Sequence, residues 1–208
     1  MNLHTDNTLI RIVDPDGGYR QTMASLLRRE GWEVSPHPNV ASLLRDDDLL
    51  RPGIIISAVC SPYVGGLELL SVLKKREIDL PVVFVSDSSD VAQAVSAMKL
   101  GAADYLLKSA PLDFLVDTVS ELLDIYIAKL LENAEIAEIK VNLQSLTARE
   151  REVLELFSCG LTTKEVARIL GIAPKTVESH RCSIHTKFGI DKMSRIIYQF
   201  MRVRRDFK

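Results

Sequence analysis

Two stretches, Ile54-Ile55-Ile56 and Pro81-Val82-Val83-Phe84-Val85, carry apolar residues almost without a break. A strand with one wet face alternates apolar and polar residues. An unbroken, largely β-branched run between Pro52-Gly53 and Ser57 therefore reads as a strand covered on both faces. Such strands belong to parallel sheets whose crossovers are helices. The rest of the first half supplies the alternation. Leu9 to Val13 reads as a strand, and Tyr19 to Glu30 as a helix with apolar Met23, Leu26 and Leu27. Trp32-Glu33-Val34 is a short strand before a weak helix over 39–49. Leu67, Leu70 and Leu73 recur at helical spacing, and Val91 to Leu100 is a helix that Gly101 ends as a C-cap. Tyr105-Leu106-Leu107 closes the set. Five β units alternating with helices over about 120 residues predict an α/β, doubly wound, five-stranded parallel sheet. Ligand chemistry in that architecture sits beyond the carboxyl ends of the strands. This directs attention to Asp14 to Asp16, Ala58 to Cys60, Ser86-Asp87 and Lys108.

From Leu112 to about Ile139 apolar residues recur at helical spacing with no Gly or Pro. The pattern predicts one long helix, or two nearly continuous ones, about 42 Å long at 1.5 Å per residue. Residues 126–142 then form a helical linker between domains at 1–125 and 143–208, because they hold no Gly, Ser or Pro to loosen them. The tail has no strand pattern. Four helices fit, over 147–158, 162–170, 174–188 and 191–203. Gly160 and Gly171 follow the first two, Pro174 opens the third, and Thr147 with Glu150 forms a capping box. The second domain is all-α and separate.

Charge divides the same way. Residues 1–125 hold 11 Lys and Arg against 18 Asp and Glu, whereas residues 143–208 hold 13 against 7. The basic half is the one suited to a polyanion. No apolar run reaches the roughly 18 residues a membrane span needs, and the first residues lack a signal layout, so a cytoplasmic protein is expected. Cys60, Cys159 and Cys182 are too far apart for a CxxC metal or redox pair and are read as reduced thiols.

On the third tail helix, at 100° per residue, Val177, Ile184 and Phe188 form one buried stripe. Lys175, Ser179, Cys182 and Thr186 fall opposite, a face of small side chains that can approach base edges in a major groove. Thr176, Arg181 and Lys187 flank the stripe within reach of phosphates. Thr163 and Lys164 open the second helix, a phosphate seat, and Lys192 opens the fourth. Glu178 reads either as a bracket for Arg181 or as an acceptor for a cytosine amino group. The series Leu146-Thr147-x-Arg149-Glu150-x-Glu152-Val153-Leu154, Thr163-Lys164-Glu165-Val166-Ala167, Leu170-Gly171-Ile172, Thr176-Val177-Glu178-x-His180-Arg181 and Ile184-x-x-Lys187-Phe188 resembles the LuxR-type helix-turn-helix. The resemblance implies sequence-specific binding of duplex DNA by a homodimer, with 162–170 as scaffold helix and 174–188 as recognition helix.

The first 125 residues resemble a CheY-like receiver of the FixJ/NarL class, most clearly through Gly101-Ala102-x-Asp104-Tyr105-Leu106-x-Lys108. Receivers of this kind hold Mg²⁺ on a cluster of acids, one of which accepts a phosphoryl group, with a hydroxyl and a lysine on the phosphoryl oxygens. Carried over position by position, the acid pair falls on Asp14 and Pro15, with Asp16 one residue late. The phosphoacceptor, four residues before Pro62, falls on Ala58. Ser86 supplies the hydroxyl, Asp87 replaces a small residue, Lys108 is kept, Ser109 replaces a proline, and Tyr105 is the switch aromatic. An alanine methyl cannot attack phosphorus, so the resemblance implies a transcription regulator with a degenerate receiver and weak Mg²⁺ binding at best. No catalytic residue, resident cofactor or metal site is expected. Control would pass to dimerisation, a partner protein or a small ligand near Cys60 and Tyr63. A single engineered Asp-to-Ala change at 58 in a phosphorylation-controlled regulator would also produce Ala58, yet leaves Pro15, Asp87 and Ser109 unexplained. A protein that titrates a partner without reading DNA is the other alternative.

Overall fold

A computed structural model describes residues 8–59 and 66–204, with the backbone alone at 66 and 67. Cys60, Pro62 and Tyr63 lie outside the described residues. The first half runs β1 (Leu9–Val13), α1 (Gly17–Arg29), β2 (Glu33–His37), α2 (Val40–Asp46), β3 (Gly53–Ala58), α3 (Gly66–Lys75), β4 (Val82–Ser86), α4 (Val91–Leu100) and β5 (Asp104–Leu107). All strands are parallel in the order β2-β1-β3-β4-β5. The order reverses between β1 and β3, which opens a crevice at the carboxyl ends of those strands.

The two-residue period of each strand splits its side chains between two cores. Ile10, Ile12, Ile54, Ile56, Val83 and Val85 pack with Met23 and Leu27 of α1. Leu115, Val119 and Leu123 of a later helix complete that face. Val13, Ile55, Val82 and Phe84 pack on the other face with Leu43, Leu69 and Ala97. Burial on both faces explains the unbroken apolar runs. Pro36 is tolerated because β2 is an edge strand. Gly53 has φ 154° and stands beside Leu9 in the register, where an added Cβ would lie 1.9 Å from the Leu9 carbonyl oxygen. Gly101 ends α4 with φ 102° in the left-handed region, as its position in the sequence predicts.

A charged side chain of β1 lies among these apolar layers. Arg11 on β1 is fully buried. Its Nε reaches Asp47 Oδ1 at 2.5 Å, and its remaining N–H groups donate to the carbonyls of Leu9, Asp48 and Arg51. His37 Nε2 lies 3.3 Å from the other Asp47 oxygen. The cluster fastens the α2–β3 connection over the sheet.

A single helix, α5 (Leu112–Gln144), follows. Contacts divide the chain into two compact units between Lys129 and Leu130. The stretch expected to be a linker, 126–142, is thus shared. Tyr126 packs with the first unit, whereas Ile139 and Leu143 are buried in the second. The second unit continues with α6 (Ala148–Ser158), α7 (Thr163–Leu170), α8 (Pro174–Phe188) and α9 (Met193–Val203). Val153, Val166, Val177, Ile184, Phe188, Ile196 and Phe200 close its core around Ile139 and Leu143. Arg202 of α9 holds Glu135 at 2.8 Å and Glu132 at 3.4 Å, tying the end of α5 into this unit. No helix among the described residues is long and apolar enough to cross a membrane.

Candidate nucleic-acid interface and charged pocket

The interface starts from capping chemistry. Thr147 and Glu150 form the capping box of α6, and Thr162 and Glu165 form a second one on α7. Half-buried Glu165 is held below its ordinary pKa, first by the Thr162 backbone N–H and then by the Thr162 hydroxyl. Pro174 opens α8 and left-handed Gly171 ends α7, so the turn between scaffold and recognition helices is set by backbone-specific residues. Val177, Ile184 and Phe188 are buried against the core. Lys175, Thr176, Ser179, Cys182 and Thr186 are exposed, as are Lys164 and Lys192. The hydroxyls of Ser179 and Thr186 donate to the carbonyls of Lys175 and Cys182 on their own helix. This rotamer turns the donors inward and leaves lone pairs outward.

Four of the expected DNA contacts, Lys187, Thr163, Glu178 and Arg181, have side-chain or carbonyl partners within the protein. Lys187 does not point to solvent: its Nζ lies 2.7 Å from Glu150 Oε2 and 2.8 Å from the Ser145 carbonyl oxygen. Glu150 is buried and also accepts from the Ser183 hydroxyl. Burial alone would raise the Glu150 pKa. The Lys187 and Ser183 contacts and the Thr147 N–H overcome it and bring the pKa to about 2. Lys187 therefore joins α8 to the start of α6, a role the charge pattern alone did not reveal. Thr163 Oγ1 donates to Glu178 Oε1 at 2.8 Å, and Arg181 lies 3.5 Å from Glu178 Oε2. The bracket reading of Glu178 thus has a geometric basis, with Thr163 as an additional partner.

In the first unit, the carboxyl ends of β1, β3, β4 and β5 bring together the expected pocket. Asp14 is fully buried. Its Oδ1 accepts from the Asp16 N–H at 2.8 Å, and its Oδ2 faces Lys108 Nζ at 2.9 Å. The latter is an ion pair at hydrogen-bond distance. Lys108 Nζ also lies 3.3 Å from Asp87 Oδ2 and 4.8 Å from the centre of the Tyr19 ring. Burial disfavours the Lys108 ammonium, but Asp14 and Asp87 outweigh it and hold its pKa above the ordinary value. Burial likewise raises the Tyr19 phenol. Asp87 does not cap α4. Asp90 does, accepting from Ala92 and Gln93. Ser86 is buried and its Oγ accepts from the Ser88 N–H at 3.1 Å. Tyr105 donates its hydroxyl to Gln93 of α4 at 2.8 Å. Ala58 ends β3 as a buried member of the core beneath.

These residues do not fit a Mg²⁺ ion. Magnesium asks for octahedral oxygen ligands. Ala58 and Pro15 offer no side-chain oxygen. Asp14 is engaged by Lys108. The Asp16 carboxylate caps α1 by accepting from Gly18 and Tyr19, whose N–H groups lower its pKa. Among the described residues no group of three or more His, Cys, Asp or Glu could hold a metal ion.

A parallel sheet with this strand order, joined to a compact helix-turn-helix unit, defines a two-domain response regulator. Residues 10–120 match the response regulator receiver domain, and residues 144–198 match the bacterial regulatory proteins of the luxR family. The chain is 33% identical over 188 residues to the transcriptional regulatory protein FixJ of Azorhizobium caulinodans, covering 90% of this chain and 89% of that one. It is 30% identical over 193 residues to FixJ of Rhizobium meliloti, covering 93% and 94%. Among solved structures it is similar to the response regulator StyR, with TM-score 0.84, 28% identity and coverage of 94% and 99%. It is also similar to full-length FixJ from B. japonicum, with TM-score 0.59, 29% identity and coverage of 95% and 97%. The chain belongs to the FixJ/NarL class of response regulators and is a DNA-binding transcription regulator of that type.

Proposed function

We propose that this regulator binds its DNA sites without phosphorylation of its receiver. The observation that carries this reading is Ala58 at the end of β3, where the resemblance puts the phosphoacceptor. The neighbouring lysine, Lys108, is already neutralised by Asp14 and Asp87. In this reading Asp87 supplies a fixed negative charge beside Lys108 in place of a phosphoryl group. The pocket then has one arrangement instead of two. The protein acts in the cytoplasm as a homodimer on inverted half-sites, reading base edges through Lys175, Ser179, Cys182 and Thr186. Thr176, Lys164 and Lys192 contact phosphates. The exposed apolar residues Val91, Val95 and Met98 on α4, and Tyr198 and Met201 on α9, support a second copy as the partner. The domain match to a DNA-binding family favours this over a protein that only titrates a partner.

DNA binding by the Asp87→Ala and Lys108→Ala variants tests the reading. Binding sites are first selected by the full-length protein from random duplexes. Weaker binding of the selected sequence by both variants is expected. Unchanged affinity in both would remove Asp87 and Lys108 from control of the DNA-binding unit.

A further inference from the structure

Glu178 stands in the second turn of α8, between the base-facing surface of that helix and the first turn of α7. Both of its oxygens are occupied. Oε1 receives the Thr163 hydroxyl at 2.8 Å, and Oε2 faces Arg181 at 3.5 Å on the same helix. Thr163 is the first residue of α7, where backbone N–H groups without a partner in their own helix point outward and favour a phosphate. The Thr163 hydroxyl hydrogen cannot reach a phosphate while it is donated to Glu178. Its contribution is mechanical: through Glu178 it sets the distance between the phosphate seat on α7 and the reading face of α8. Arg181 completes the arrangement by cancelling a carboxylate that DNA phosphates would otherwise repel. Both contacts turn the carboxylate toward Thr163 and Arg181, and because an exposed pair of this kind contributes little energy by itself, its effect is on orientation rather than stability.

We propose that Glu178 is a positioning residue for DNA binding: it joins the first turn of α7 to the recognition helix through Thr163, steadies Arg181 for a phosphate, and reads no base. The proposal rests on the DNA-binding activity of the family. Binding of the wild-type protein to its selected duplex serves as the control that separates the two.

Full-length wild type, Glu178→Gln, Glu178→Ala, Thr163→Val and the Thr163→Val/Glu178→Ala double variant would each be measured on the duplex selected by the wild type. A library with every single base-pair change in that duplex would be measured alongside, together with thermal midpoints. A coupled pair predicts that Glu178→Ala and Thr163→Val each weaken binding by roughly 5-fold and that the double variant is no weaker than Glu178→Ala alone. Glu178→Gln keeps an acceptor for Thr163 and should restore most of the affinity. The order of base preferences should stay the same in every variant, and the thermal midpoints should stay at the wild-type value. A preference lost at one base pair in Glu178→Ala or Glu178→Gln would show base reading and overturn the proposal. So would Thr163→Val binding like the wild type, or affinity falling only in step with the thermal midpoint.

Discussion

Lys108 Nζ lies 2.9 Å from Asp14 Oδ2, inside a pocket where Asp14 has no exposed surface. A buried carboxylate costs several kcal/mol unless a counter-charge accompanies it. Lys108 is that counter-charge, and its second partner, Asp87, is 84% exposed. The two acids therefore carry different duties. Asp14 holds the lysine in the fold, and Asp87 sets the charge at the mouth of the pocket.

That division predicts unequal effects on stability. Lys108→Met should destabilise the first unit by about 3 kcal/mol, because it leaves Asp14 buried and unpaired. Asp87→Ala should change stability by less than about 0.5 kcal/mol, since an exposed pair contributes little. Urea unfolding of the two variants checks both values. Equal losses would place Asp87 in the fold as well.

Glu150 gives the second unit a pH dependence of known sign. Its pKa in the folded chain is about 2, against an ordinary 4.5. A lowered pKa stabilises the fold above the ordinary value, and that stability is lost as pH falls from about 4.5 toward 2. About 3 kcal/mol is at stake. Glu150→Gln should remove most of this acid-sensitive component. Unfolding midpoints of the wild type and the variant should differ widely at pH 7, by about half as much at pH 3, and little near pH 2.

Arg11 and Asp47 form a buried pair whose members cannot be removed singly without cost. Arg11→Ala should destabilise the first unit by roughly 3–5 kcal/mol, because Asp47 keeps its charge without its cation. Arg11→Met combined with Asp47→Asn should be milder than the sum of the single changes. Chemical denaturation of the wild type, Arg11→Met, Asp47→Asn and the double variant measures the coupling, with Arg11→Ala measured alongside.

Gly53 tolerates no side chain. A Cβ there would lie 1.9 Å from the Leu9 carbonyl oxygen at a φ of 154°, so Gly53→Ala should cost about 3 kcal/mol or prevent folding. Thermal unfolding against the wild type is the check, and a midpoint within a degree or two would contradict the register between β1 and β3.

The fold is largely legible in the sequence because its strongest signals are local. The apolar runs at 54–56 and 82–85, the glycines at 101 and 171 and the Thr147–Glu150 capping box each constrain their own segment. The outer face of α8 follows from helical spacing alone. What the sequence hides depends on distant partners. The pairing of Lys187 with Glu150, 37 residues away, leaves no local signal. Arg11 looks like a polar interruption in a strand until the Asp47 loop folds over it. Glu178 carries two compatible readings in one dimension, and its hydrogen bond with Thr163, 15 residues earlier, is visible only in the fold. The division at Lys129 is equally hidden, because an uninterrupted helix has no compositional break where its two halves join different cores.

DNA binding by this regulator is proposed to need no phosphoryl group on its receiver. The most direct test measures affinity of the full-length protein for its selected duplex before and after treatment with acetyl phosphate and Mg²⁺, with intact mass recorded on the same samples. No phosphoryl adduct and an unchanged affinity are predicted. A phosphoryl adduct accompanied by tighter DNA binding would contradict the account.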